Sequence, residues 1–162
     1  MTENNKKGFT LVEGLVAIAI LVLVISSVMN VIHSGFKPLT HSRAQMTATL
    51  LAQEAVETVR NIRDINHSEG EDWLLGLDEC LDLCRVSVIS SPVISACPGG
   101  SCDALRYDGN TGRYGYEAGW TESEFTREVR ITEETLFRVL VSVRVSWPTG
   151  EMVMKETLYN FQ

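Results

Sequence analysis

The chain changes character twice along its length. A short polar stretch, Met1–Lys7, leads into an apolar run from Leu15 to Ile32, with Phe9–Val12 in front of it. Together they reach the roughly 20 residues that a helix needs to cross a bilayer. From Arg43 to Asp64 the apolar residues return at three- and four-residue steps: Ala44, Ala48, Leu51, Ala55, Val59 and Ile62. That spacing makes one apolar helix face. Arg43, Gln53, Glu54, Glu57, Arg60 and Arg63 fall mainly elsewhere and read as a solvated face. Pro38 lies between the two helical patterns and predicts a kink or interruption, because proline removes a backbone donor and crowds the preceding turn.

Beyond the helix the period shortens. Residues 71–83 predict a short helix with Trp73, Leu74 and Leu77 inward. Arg85–Ser90 alternates as a strand does, and Ser91–Asp103, with two prolines and two glycines, reads as a loop. Tyr107–Tyr114 reads as a turn between short strands. Phe125–Thr132 and Leu136–Trp147 alternate cleanly, with Phe137, Val139, Val141, Val143 and Val145 on one face. Residues 148–151 reverse the chain and Met152–Phe161 returns. The expected fold is therefore α+β: a long N-terminal helix whose apolar half lies in a membrane or filament core and whose amphipathic half packs on an antiparallel meander.

Composition narrows the function. The 162 residues carry a formal net charge of -7, and 44% are hydrophobic, enough for a real core. The arginines are scattered from Arg43 to Arg144 and read as a mixed surface. Phosphate recognition needs clustered Lys and Arg, so direct nucleic-acid binding is not expected. Lys6 and Lys7 precede the apolar run and hold that end in the cytoplasm. A secretory signal would place its cleavage site after the apolar core; here the cleavable-looking feature, Lys6-Lys7-Gly8-Phe9, lies before it. Glu13 sits inside the apolar stretch, where a carboxylate costs on the order of 2.5–3.5 kcal/mol near the bilayer centre. It calls for a cationic partner, and no lysine or arginine lies within one helical turn of it.

The segment Lys6-Lys7-Gly8-Phe9-Thr10-Leu11-Val12-Glu13, followed by the apolar run, resembles the prepilin signal of type IV pilins and type II secretion pseudopilins. The resemblance implies a leader of 1–8 removed between Gly8 and Phe9 by a membrane prepilin peptidase, which also N-methylates Phe9. It implies a membrane or filament-core helix over 9–37 and an extracytoplasmic globular domain over 38–162, including an amphipathic helix of about 43–64. It further implies that Glu13 pairs with the freed Phe9 amine, within one subunit or from a neighbour. The subunit would sit in the inner membrane as a single-pass protein and then join other pilins or pseudopilins through the N-terminal helix. Phe125–Ile131 followed by Val141–Trp147 resembles minor pilins of the pilus-modification type and I-type minor pseudopilins. Many major pilins carry a proline in the second half of the apolar segment; between Phe9 and Phe36 this chain has none. That favours a minor subunit.

Four cysteines form two close pairs, Cys80/Cys84 and Cys97/Cys102. Their spacing is near that of a four-thiolate zinc site. Disulfides account for them more simply once the domain lies outside the cytoplasm, with three connectivities open. His33, His41 and His67 show no ligand spacing, and Asp108-x-Asn110 lacks the rest of a calcium loop. No nucleophile–base pair, phosphate loop or paired-acid site stands out, so neither an enzyme nor a cofactor is expected. Two classes remain: a structural filament subunit of a pilus or secretion system, and a tip adhesin or DNA-uptake module. Tyr107, Tyr114, Tyr116 and Trp120 would serve the second class if exposed.

Overall fold

The computed structural model describes residues 8, 10–89 and 93–160, with only the backbone described for 33–40 and 98. The chain forms two compact units, Met1–Ser42 and Arg43–Gln162. One helix, α1 (Leu11–Glu69), contributes to both. It runs through Pro38, where an interruption was expected. A single proline withdraws one donor, and the turns on either side carry the helix past it. The helix also outlasts the apolar period by more than a turn. It ends where Gly70 turns left-handed at φ 73°. There Glu71 N–H donates to Asn66 O at 3.0 Å and Gly70 N–H to His67 O at 3.3 Å. This 6→1 and 5→2 pair is the Schellman closure that glycine permits.

In the first unit, Leu11–Ile32 is apolar and long enough to cross a membrane, and none of it is buried among the described residues. Ser26 and Ser27 satisfy their hydroxyls on the preceding turn, at Val22 O (2.8 Å) and Leu23 O (2.7 Å).

In the second unit, the C-terminal part of α1 lies on a seven-stranded antiparallel sheet. The strands are β1 (Cys84–Ser87), β2 (Val93–Ala96), β3 (Ala104–Asp108), β4 (Arg113–Gly115), β5 (Thr121–Thr135), β6 (Arg138–Trp147) and β7 (Gly150–Tyr159). β5–β6–β7 is the meander the alternation predicts. On its other edge β5 pairs with β3 and, at Val129↔Cys84, with β1. One long strand therefore carries two hairpins on one side and the meander on the other. β2 lies inside the stretch read as a loop; its register Cys84↔Ala96 to Ser87↔Val93 shows that β1 supplies the ladder its own sequence does not announce. Residues 71–83 make turns and a 3₁₀ helix, Asp78–Leu81, in place of a longer helix. Gly76, at φ 77°, breaks the helical run.

The core forms where the two periods meet. Ala48, Ala52, Ala55 and Val59 present small side chains, so the helix comes close to the sheet. Against them stand Val129 and Ile131 of β5 and Val139, Val141, Val143 and Val145 of β6, all buried. Phe137 leaves the expected face: it sits in the β5–β6 turn and is exposed.

The cysteines pair locally, Cys80–Cys84 and Cys97–Cys102, with Cα separations of 4.7 and 4.6 Å. The first ties the 3₁₀ helix to the start of β1; the second closes the turn after β2. Loops this short constrain the unfolded chain modestly, by about 2 kcal/mol each. Protein isolated from an oxidising compartment is expected to show no free thiol under denaturing conditions, and reduction is expected to lower its melting temperature. Four reactive thiols together with one bound zinc ion would overturn the assignment.

Candidate functional site

Two places in the chain combine polar chemistry with apolar surroundings. The first is the start of α1. Thr10 precedes the first helical residue, and its Oγ1 accepts the Glu13 backbone N–H at 3.3 Å. Thr10-Leu11-Val12-Glu13 thus has the spacing of a capping box, with threonine as N-cap and an acid at the third helical position. Glu13 is exposed in the first turn, where the helix dipole favours a negative charge. Its neighbours along the helix are the apolar residues of the membrane-length segment. Gly8 has open space around its Cα. Phe9, the expected cleavage and methylation residue, lies outside the described residues, as does 1–7.

The second is Arg127 on β5, whose side chain is 0% exposed. Its Nη1 donates to Leu51 O at 3.0 Å and to Glu54 Oε2 at 2.6 Å, and its Nη2 to Val86 O at 2.5 Å. One guanidinium therefore joins the helix, β1 and β5. Burying such a charge is tolerable only with a counterion and acceptors in place. Glu54 is that counterion, and it reaches water with 37% of its side chain exposed. Two expectations are corrected here. Arg127 is not part of a mixed surface, and Glu54 is not simply on a solvated face. Arg60 also departs from the solvated reading, pairing with Glu57 and with Glu156 of β7. The hydrogen bond to Glu156 raises the Arg60 pKa further above its already high value.

Of the aromatic residues weighed for adhesion, Tyr114 and Tyr116 pack against the core, Trp120 is half-buried and Tyr107 is exposed. Tyr107 and Tyr114 lie 5.0 Å apart, Tyr114 meets Phe125 edge-on at 5.8 Å, and Phe125 leads on to Trp147 at 6.3 Å. Burial pushes the Tyr114 and Tyr116 hydroxyls above the usual phenol range. Arg85 stacks over the Tyr116 ring at 5.2 Å while pairing with Asp103 at 2.8 Å. Asp108 closes its turn by accepting from Thr111 and Asn110, which holds its carboxyl below the usual range.

The family comparison bears on the first place. The model for the prokaryotic N-terminal methylation motif matches residues 4–29. The chain carries a prepilin-type signal. This signal supports a type IV pilin-like subunit, and it implies processing by a prepilin peptidase and anchoring in a membrane as with pilins. No curated protein matches the chain, and no solved structure does. The prepilin-type signal covers Gly8 and Glu13 and ends within the apolar helix, so Arg127 and the cysteines lie beyond it.

Two of these features carry a signal in the sequence itself. Thr10 three residues before Glu13 is a capping pattern in plain sequence. Arg127 falls in phase with Phe125, Val129 and Ile131, so the alternation of β5 already turned it inward.

Proposed function

We propose that this chain is a minor pilin-like structural subunit, inserted in the inner membrane, cut after Gly8, N-methylated at Phe9, and incorporated in or priming a type IV pilus-like filament. The observation that carries the reading is the order of a basic leader, Gly8, a capped helix start with Glu13 in its first turn, and an uninterrupted apolar span. An acid there is costly in lipid unless a cation joins it, and cleavage creates one at Phe9. The globular unit supports a structural role: its buried ion pair joins helix to sheet, and its acidic balance disfavours direct nucleic-acid contact. The same signal serves a minor pseudopilin of a type II secretion system; the missing proline in the span favours a minor subunit in either machine.

Gly8→Val tests the reading. A branched side chain beside the scissile bond crowds the peptidase, so the variant is expected to keep residues 1–8 while still inserting. Intact-mass measurement of the membrane fraction, beside wild type, reads it directly. Wild-type protein that retains Met1–Gly8 in its assembled state would sink the proposal.

A further inference from the structure

We propose that copies of this subunit stack end to end, the β5–β6 turn of one copy seating in a cavity at the opposite end of the globular unit of the next. This rests on the reading of the chain as a filament subunit and names a contact outside the N-terminal helix.

The turn is the first observation. Leu136 and Phe137 connect Thr135 to its partner Arg138 and are 86% and 52% exposed. Tight hairpin turns favour Asn, Gly or Asp, whose backbones suit the geometry. Leu136 gains little there from the fold and Phe137 is only half covered, yet the turn is held firmly. Asn160 N–H donates to Phe137 O at 2.9 Å, and Arg138 pairs with Glu134 at 2.7 Å. A fixed turn that presents two large apolar side chains to water is built for contact. Leu136 shares a shallow depression with exposed Leu75, edged by Asp72, Asp78 and Glu133.

The cavity is the second observation. It has a volume of about 520 Å³ and opens between α1, the end of β1 and the β3–β4 hairpin. Leu50, Leu51, Val88, Ile89 and Tyr114 make its walls. Leu50 is 61% exposed although it sits beside the core helix face. A Cβ at Gly115 would lie 2.4 Å from Ile89 Cδ1, so a larger residue there would shift that part of the wall. Arg113 and Glu54 both line the cavity, and Glu54 is engaged by Arg127.

Charge and position make the two surfaces a match. Around the turn Asp72, Asp78, Glu133 and Glu134 outnumber Arg138, and the cavity offers exposed Arg113 beside the Glu54–Arg127 pair. The hairpin beside the cavity pairs with β5 over Thr121–Thr126, and Glu54 of the cavity lining meets Arg127, while the turn follows Thr135. Arg127 and Thr135 are eight residues apart, roughly 26 Å of strand at about 3.3 Å per residue. A knob and a socket at opposite ends of one body give a heterologous contact, which propagates as an open stack.

The experiment uses the full chain, produced with its prepilin peptidase, purified in detergent and followed by sedimentation across a concentration series. Wild type is expected to form oligomers that lengthen with concentration. Leu136→Asp alone or Leu50→Asp alone should weaken association at least about tenfold, the equivalent of about 1.4 kcal/mol. An equal mixture of the two variants should form dimers and nothing longer, because each mixed pair retains one intact knob and one intact socket. Arg113→Glu, which leaves the apolar walls unchanged, should weaken association in the same direction at an unchanged melting temperature. Wild type that stays monomeric, single variants that associate like wild type, or a mixture that does not pair would overturn the proposal. Intact mass on the same samples reports removal of residues 1–8, so a processed but monomeric chain sinks the stacking alone, and an unprocessed chain sinks the filament reading.

Discussion

Glu54→Gln is expected to destabilise the protein more than Arg127→Met, although it is chemically the smaller change. Glutamine keeps the shape and an acceptor but removes the counterion from a guanidinium that has no exposure to solvent. Breaking a buried pair from one side leaves an uncompensated charge, at about 3–5 kcal/mol when both partners are enclosed. Glu54 is partly exposed and water can approach, which places the expected loss at about 2–3 kcal/mol. Arg127→Met removes the charge, fills most of the volume and frees Glu54 to turn to solvent, so its loss should stay below about 1.5 kcal/mol. Arg127→Ala adds a cavity beside Leu51 and Val86 and should cost about 3–5 kcal/mol. The double variant Glu54→Gln/Arg127→Met should recover most of what Glu54→Gln loses. Urea unfolding of the four variants in one detergent gives the ranking. A Glu54→Gln protein as stable as wild type would show that the pair does not hold the helix to the sheet.

Glu13→Ala and Glu13→Leu are both expected to insert and be cleaved, since the apolar run and Gly8 are intact, and then to fail wholly or partly to enter filaments. The proposed cause is loss of the pairing with the Phe9 amine, which sets axial register between neighbours. Charge attraction at low effective dielectric is strong and short-ranged, and a loss of only about 1.4 kcal/mol already changes occupancy tenfold. Leucine suits lipid better than glutamate, so a defect in Glu13→Leu separates pairing from mere lipid compatibility. The cap at Thr10 requires a third variant. Glu13→Gln keeps the capping-box geometry without the charge. It should fail like alanine; assembly at the wild-type level would assign Glu13 to the helix cap instead. The readout is the ratio of subunit in sheared filaments to subunit in the inner membrane, and wild-type incorporation by the alanine and leucine variants would remove Glu13 from the mechanism.

The long apolar stretch, Gly8 before it, the acid within it and the helical period after it were all legible in order along the chain. Each is a local signal: a span is a length, a cleavage signal is a string, and an amphipathic face is a spacing. The strongly alternating strands were legible for the same reason. Weak elements were not. Val93–Ala96 is too short and too near Pro92 and Pro98 to read as a strand, and it exists because β1 offers it a ladder. The extension of α1 to Glu69 depended on the Schellman closure at Gly70, whose signal was one glycine among several.

What the sequence by itself determined is the membrane-length helix, its prepilin-type start, the amphipathic face and the meander that would cover it. Only the tertiary structure decided which cysteines meet, that β5 carries hairpins on one edge and the meander on the other, and that Arg127 is buried. The physical reason is common to all three. Alternation states the face on which a side chain lies but not what stands opposite, and a charged residue in an apolar phase is a defect or a keystone according to its partners. For Arg127 those partners come from Leu51, Glu54 and Val86, 41 to 76 residues away. Only the folded chain brings them within reach of one guanidinium.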